Sequence, residues 1–162
     1  MSDQSIQIRP AIPPDFDQLC TLWEVLDEHH RQLRPDMFRE PVGARRDAGW
    51  VNAIISDADS DILVAETPDN SLVGMVLLIV RTLPDLPIRI SQPFVEIDNI
   101  VVSPSQRHLG VGGKLVAASK TWAAARGHMQ LQLTVYAFND SAIRFYDTEG
   151  FEPVSHRIAL PL

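Results

Sequence analysis

The chain has 162 residues, 45% of them apolar, and a formal net charge of −7 from 14 Lys+Arg against 21 Asp+Glu. A domain of this size buries enough surface to fold without disulfides or a structural metal, and the single cysteine, Cys20, excludes a disulfide framework and any cysteine-based zinc site. The apolar run Leu72 to Val80 is far shorter than the roughly 20 residues of a membrane span, and Met1-Ser2-Asp3-Gln4-Ser5 has neither a basic start nor an apolar core behind it. The expectation is one domain over residues 1–162, cytoplasmic, with no membrane or nucleic-acid partner.

Ile6-Gln7-Ile8-Arg9 alternates and stops at Pro10, as a first strand would. From Asp15 to about Gln32, Phe16, Leu19, Cys20, Trp23 and Leu26 recur at helical spacing behind Pro13-Pro14. Residues 33 to 49 read as an irregular loop and Trp50 to Ile55 as a short second helix. Asp61 to Glu66 and Leu72 to Thr82 predict a hairpin across Pro68-Asp69-Asn70-Ser71, and Phe94 to Val102 a further strand. Gly110 to Arg126 places Val111, Leu115, Ala118, Trp122 and Ala125 on one helical face, with Gly127 as its stop. A strand over Leu131 to Val135, a helix over Ser141 to Glu149 capped by Asn139, and a last strand over Val154 to Leu160 complete the chain. The fold class expected is α/β, a mixed, mostly antiparallel central sheet flanked by helices.

Charge is unevenly spread. Between Asp98 and Asp140 lie 41 residues without an acid, where 21 acids in 162 residues would place about five. That stretch carries Arg107, Lys114, Lys120 and Arg126, so it sums to +4 and the rest of the chain to −11. An anion belongs at this segment and a cation elsewhere.

Within it, Gln106-Arg107-His108-Leu109-Gly110-Val111-Gly112-Gly113-Lys114 sits between a strand and an amphipathic helix. The first turn of a helix leaves backbone N–H groups without partners, and glycines let an anion come close to them. A nucleotide P-loop is excluded, because Leu115 follows Lys114 and His108 stands where the first glycine belongs. A dinucleotide fingerprint is excluded too, because it needs glycine at Leu115 and an acid within the acid-free stretch.

Arg107, Gly110 and Gly112 form Arg-x-x-Gly-x-Gly after Val101-Val102-Ser103-Pro104, and Asn139, Ala142, Phe145-Tyr146 and Gly150-Phe151 follow at fixed spacing. Together these resemble the acetyl-CoA signature and the closing motif of the GNAT superfamily of N-acetyltransferases. Ile8-Arg9-Pro10-Ala11 with Asp15, and Leu63-Val64-Ala65-Glu66 before Leu72-Val73-Gly74, are similar to its opening strand and hairpin. The resemblance implies acetyl-CoA as cosubstrate. It implies that Arg107, His108, Leu109, Gly110, Val111, Gly112 and Gly113 hold the pyrophosphate, that Ile100, Val101 and Val102 pair with the pantetheine arm, and that Asn139 and Ala142 lie along that arm. Tyr146 matches a tyrosine that relatives place near the coenzyme sulfur, as acid for the leaving thiolate; its plainer role is packing beside Phe145.

A primary amine has a pKa near 10.4, so baring its lone pair at pH 7 costs about 4.6 kcal/mol and a nearby base helps. Glu96 and Asp98, two apart on one strand, are the candidates, with a water relay open to either; their plainer role is a solvated sheet face. His29-His30 have no third ligand at metal spacing and read as solvated or substrate-loop histidines. Arg45-Arg46 read as surface, or as a substrate or coenzyme contact. Cys20 and Trp122 read as core. The acceptor expected is a small cationic amine, such as a polyamine, an aminoglycoside-like or an amino-acid-like molecule. The rivals are a peptide N-terminus or lysine as acceptor, and a non-catalytic acyl-CoA sensor. The resemblance leaves a homodimer open, in which the final strand and Pro161-Leu162 would pair across two copies.

Overall fold

A computed structural model describes residues 6–43 and 46–162. Five strands form one sheet in the order β1-β2-β3-β4-β5: β1 (Gln7–Pro10), β2 (Ser60–Glu66), β3 (Leu72–Arg81), β4 (Phe94–Val102) and β5 (Leu131–Leu133). The first three junctions are antiparallel and β4 with β5 is parallel, which is the mixed, mostly antiparallel sheet expected. On one face α1 (Phe16–Leu33) and α2 (Ala48–Ser56) cover Ile62, Val64, Met75, Leu77 and Val101. On the other, α3 (Val111–Ala125) buries Val111, Leu115 and Trp122 against Leu63, Val76, Leu78, Val95 and Ile97. Both faces are covered, so β3 reads as a nearly continuous apolar run instead of an alternating one. No helix among the described residues is long and apolar enough to cross a membrane.

The expected elements form within two residues of their expected ends, apart from the last strand. Residues 152–162 adopt no regular structure, and Val154, Ile158 and Leu160 are exposed. Their period-2 alternation is compatible with a strand but does not specify one without a partner, and residues 152–162 pair with no strand among the described residues. A second correction concerns register. Where β4 pairs β3, Leu78 faces Ile97 but Leu77 faces Asn99, so Asp98 is an extra residue in a β-bulge. The bulge flips the alternation: Val95 and Ile97 point toward α3, and after it Val101 points toward α1. Asp98 and Asn99 therefore both emerge on the α1 side, where Trp23 Nε1–H donates to Asn99 Oδ1 at 2.9 Å.

The entrance to α1 is held by charge. Arg9 on β1 donates to Asp15 at 2.8 and 3.1 Å and to Glu66 on β2 at 2.9 and 2.7 Å. Burial pushes the Asp15 carboxyl up, but hydrogen bonds from Arg9 and from the Ile12 N–H outweigh it and hold it below the usual carboxylate range. Arg9→Ala leaves Asp15 buried without its partner, and the expected loss is about 3 kcal/mol of stability at neutral pH. A carboxyl with a depressed folded pKa stabilises the fold above its unfolded value near 3.9, and this contribution disappears as pH falls through the folded value. Urea titrations should therefore show the gap between wild type and Arg9→Ala closing below about pH 4.

Candidate active site

Two of the helices show how their N-termini are satisfied. Asp47 accepts from Trp50 N–H at the start of α2, and Asn139 accepts from Ala142 N–H at the start of α4 (Asp140–Thr148). The N-cap of α3 is Gly110, in the left-handed conformation at φ 81°, and it has no side chain to cap with. Lys114 N–H is the first amide there to find a carbonyl, that of Gly110. Among the described residues, the backbone N–H groups of His108 to Gly113 donate to no carbonyl or side chain. His108 is itself left-handed at φ 62°, an uncommon conformation for a residue with a Cβ. Alternation of left- and right-handed residues turns successive N–H groups to one side, which makes an anion nest, and the dipole of α3 adds to it. The amides needed for a diphosphate are present, and no side chain among the described residues hydrogen-bonds to them, although the Glu149 carboxylate lies against Gly113, 3.2 Å from where its Cβ would be.

Gly112 also has a packing role that the sequence reading did not include. A Cβ on Gly112 would lie 3.0 Å from Phe145 Cζ, so Gly112 lets α4 pack against the first turn of α3. This contact carries Tyr146 toward the nest, so the two motifs of the sequence depend on one another in space.

The second feature is a split in the sheet. β5 pairs β4 only from Val95 to Ile97, opposite Leu131 to Leu133. Beyond that the strands separate, and the edge of β4 from the bulge to Val102 pairs with no strand on that side among the described residues. A cavity of about 800 Å³ fills the split. Its wall includes Asp98 to Val102, Arg107, His108, Gly110 to Gly113, Asn139, Ala142 and Tyr146. Of the expected coenzyme residues, only Leu109 stays outside this wall, 65% exposed. Arg107 donates through Nε to the Val102 carbonyl at 3.3 Å, which fixes its charge beside the end of β4.

Geometry separates the two candidate bases. Glu96 is bonded to Arg81 Nε and lies outside the cavity wall, whereas Asp98 lines it, with Arg81 Nη2 at 3.6 Å. Burial pushes the Asp98 carboxyl up, and the negative charge of Glu96 pushes in the same direction. The Tyr146 ring packs against Phe145 and Phe151 at centroid distances of 5.3 and 5.6 Å, and burial pushes its phenol up to about 12.

Sequence reasoning missed several side chains gathered here. His29 and His30 are half-buried: both line the large cavity, and His30 stacks on Phe38 and meets the edge of Tyr136. Burial, then the charge of His29, lowers the His30 pKa. A smaller cavity of about 340 Å³ adjoins Asp98 and Asn99 and is completed by Arg46, Asp47 and Trp50. Arg46 lies over the Trp23 ring and 3.6 Å from Asp27; Arg45 falls outside the described residues. Tandem histidines at a helix end beside a long aromatic-bearing loop were the signal available, but pairing them with residues a hundred positions away needs the fold.

An uncapped amide nest opening into a slot along a strand edge is a site for a long ligand with a diphosphate at one end and an extended amide arm. Comparison with known proteins places the chain more narrowly. It belongs to the acetyltransferase (GNAT) family, whose model matches residues 22–151. It is thus an acetyltransferase that uses acetyl-CoA as cosubstrate. The tetramutant of the BH1408 protein from Bacillus halodurans is 25% identical, with 96% of this chain and 99% of that one covered and a TM-score of 0.89. Two further structures share the fold. Aminoglycoside antibiotic 6'-N-acetyltransferase AAC(6')-Ih from Acinetobacter baumannii is 14% identical over 98% of each chain, with a TM-score of 0.74. Aminoglycoside N-acetyltransferase AAC(6')-Iy in complex with CoA is 20% identical over 100% of this chain and 99% of that one, with a TM-score of 0.74. No curated protein matches.

Proposed function

We propose that the protein transfers an acetyl group to the primary amine of a small cationic molecule by direct attack, with Asp98 accepting the amine proton and Tyr146 protonating the leaving sulfur. The observation that carries this reading is that Asp98 and Tyr146 line one cavity together with the open amides of His108 and Gly110 to Gly113. The cosubstrate supplies an acetyl thioester. The nest would hold its diphosphate, Arg107 would add a positive charge there, and the unpaired edge of β4 from Ile100 to Val102 would hold its arm. Asn139 and Ala142 line the same slot.

Asp98 takes one proton from the ammonium, directly or through a water, and so bares the lone pair. As the carbon–nitrogen bond forms and the carbon–sulfur bond breaks, Tyr146 gives its proton to the sulfur. The acylated nitrogen loses its second proton to solvent, Asp98 releases to solvent the proton it accepted, and Tyr146 regains its own from there, so that one proton is released per turnover. Burial supports both roles: it makes Asp98 a stronger base than an ordinary carboxylate and keeps Tyr146 protonated over the working range.

The cationic acceptor is supported by charge. The chain outside the acid-free stretch sums to −11, and aminoglycoside acetyltransferases share the fold. Incubation with acetyl-CoA and a panel of amines, with free thiol followed, should show turnover on polyamines, aminoglycosides or basic amino-acid amides. Turnover confined to peptide N-termini or protein lysines would move the acceptor class to proteins, and coenzyme binding without turnover on any amine would leave a sensor.

A further inference from the structure

His29, which the mechanism does not use, makes a cross-cavity contact. It stands near the C-terminal end of α1, and its Nε2 lies 3.5 Å from Asn139 Oδ1 at the start of α4. The roles of the two atoms are fixed by a third group. Ala142 N–H points at the same Asn139 atom from 3.3 Å, and a backbone N–H only donates, so that atom is the amide oxygen. Ser141 Oγ approaches it as well, at 3.2 Å. The His29 nitrogen facing this oxygen must then carry its proton on Nε2. With the oxygen held by Ala142, Ser141 and His29, the Asn139 –NH2 group is the part of the side chain left to meet a ligand in the cavity wall.

Resting on the acetyltransferase reading above, we infer that His29 is a positioning residue for coenzyme binding: its Nε2–H fixes the Asn139 amide so that the –NH2 donates to a carbonyl of the coenzyme's pantetheine arm. The neighbouring histidine acts on the same loop, because His30 and Phe38 pack against Tyr136, three residues before Asn139. Adjacent residues of α1 thus grip both ends of the segment that closes the slot.

Calorimetry with acetyl-CoA tests this, alongside kinetics in which coenzyme and amine are varied separately. His29→Phe keeps a ring of similar size and removes the donor, whereas His29→Gln places an amide N–H near the position of Nε2. The loss of one oriented hydrogen bond corresponds to a roughly three- to tenfold weaker coenzyme dissociation constant and a matching rise in the coenzyme KM. Turnover number and amine KM should stay within about twofold, because the contact is uniform through the reaction. His29→Gln should restore most of the affinity, and in an Asn139→Ala background His29→Phe should change nothing further. Coenzyme affinity unchanged in His29→Phe, equal weakening in His29→Gln, or additive losses with Asn139→Ala would each overturn the inference while leaving the acetyltransferase reading intact. A wild type that gives no heat with acetyl-CoA would overturn both.

Discussion

Tyr146→Phe is expected to lower the turnover number by about 100-fold and leave the acetyl-CoA dissociation constant within about twofold of wild type. The figure sits at the lower end of the range for general acids because a thiolate is a tolerable leaving group; thiols ionise near pH 8.5, far below alcohols. The substitution removes one oxygen and retains the ring that packs on Phe145 and Phe151, so stability and the α3–α4 contact at Gly112 should persist. The pH profile gives an independent check. Desolvation disfavours the tyrosinate and pushes the phenol up to about 12, so the wild-type proton is lost only as pH rises through that value. Any alkaline decline between about pH 8 and 10 must then come from another group, and it should survive unchanged in Tyr146→Phe. Stopped-assay turnover within threefold of wild type would remove Tyr146 from the chemistry and leave it a packing residue.

Legibility in the sequence followed the range of the interactions. The helix of α3 and its glycine-rich approach were readable because nest, cap and periodicity are local: Arg107, His108 and Gly110 lie within a few residues of one another. The partner motif from Asn139 to Phe151 was readable as a spacing, yet the reason for Gly112, a Phe145 ring 3.0 Å from the place of its Cβ, spans 33 residues and needs the fold. The bulge at Asp98 left only a faint mark, the adjacent polar pair Asp98-Asn99 where regular alternation would put an apolar residue at 99; a polar pair does not by itself specify a bulge, and the register against β3 reveals it. Residues 152–162 show the opposite failure. Their alternation is strand-like, but a strand also needs a paired edge, and that is a property of the neighbours and not of the segment. His29 joined Asn139 across 110 positions, a separation at which no periodicity argument operates.

Asp98→Asn should reduce kcat/KM by about 100-fold at neutral pH, whereas Glu96→Gln should lower it only a few-fold, and the pH dependence separates the two carboxylates more sharply than the magnitudes do. Asp98 must be ionised to accept a proton. Burial and the charge of Glu96 both raise its pKa, so wild-type activity should fall on acidification at a pH above the ordinary carboxylate range. Glu96→Gln removes the like charge and leaves Arg81 to Asp98 alone, and both effects favour the ionised form. The acid limb of Glu96→Gln should therefore move to lower pH, although the variant has lost a carboxylate. In Asp98→Asn the limb should disappear, and the deficit should shrink as pH approaches the amine pKa near 10.4, where the acceptor deprotonates unaided and the base has least to contribute. If Glu96 were the base, the pattern would invert: Glu96→Gln would lose the limb and most of the activity, and Asp98→Asn would retain both. Profiles of kcat/KM from pH 5 to 10 for the wild type and both variants decide between these assignments, because the direction of the limb shift depends only on which carboxylate is titrating and which is its neighbour.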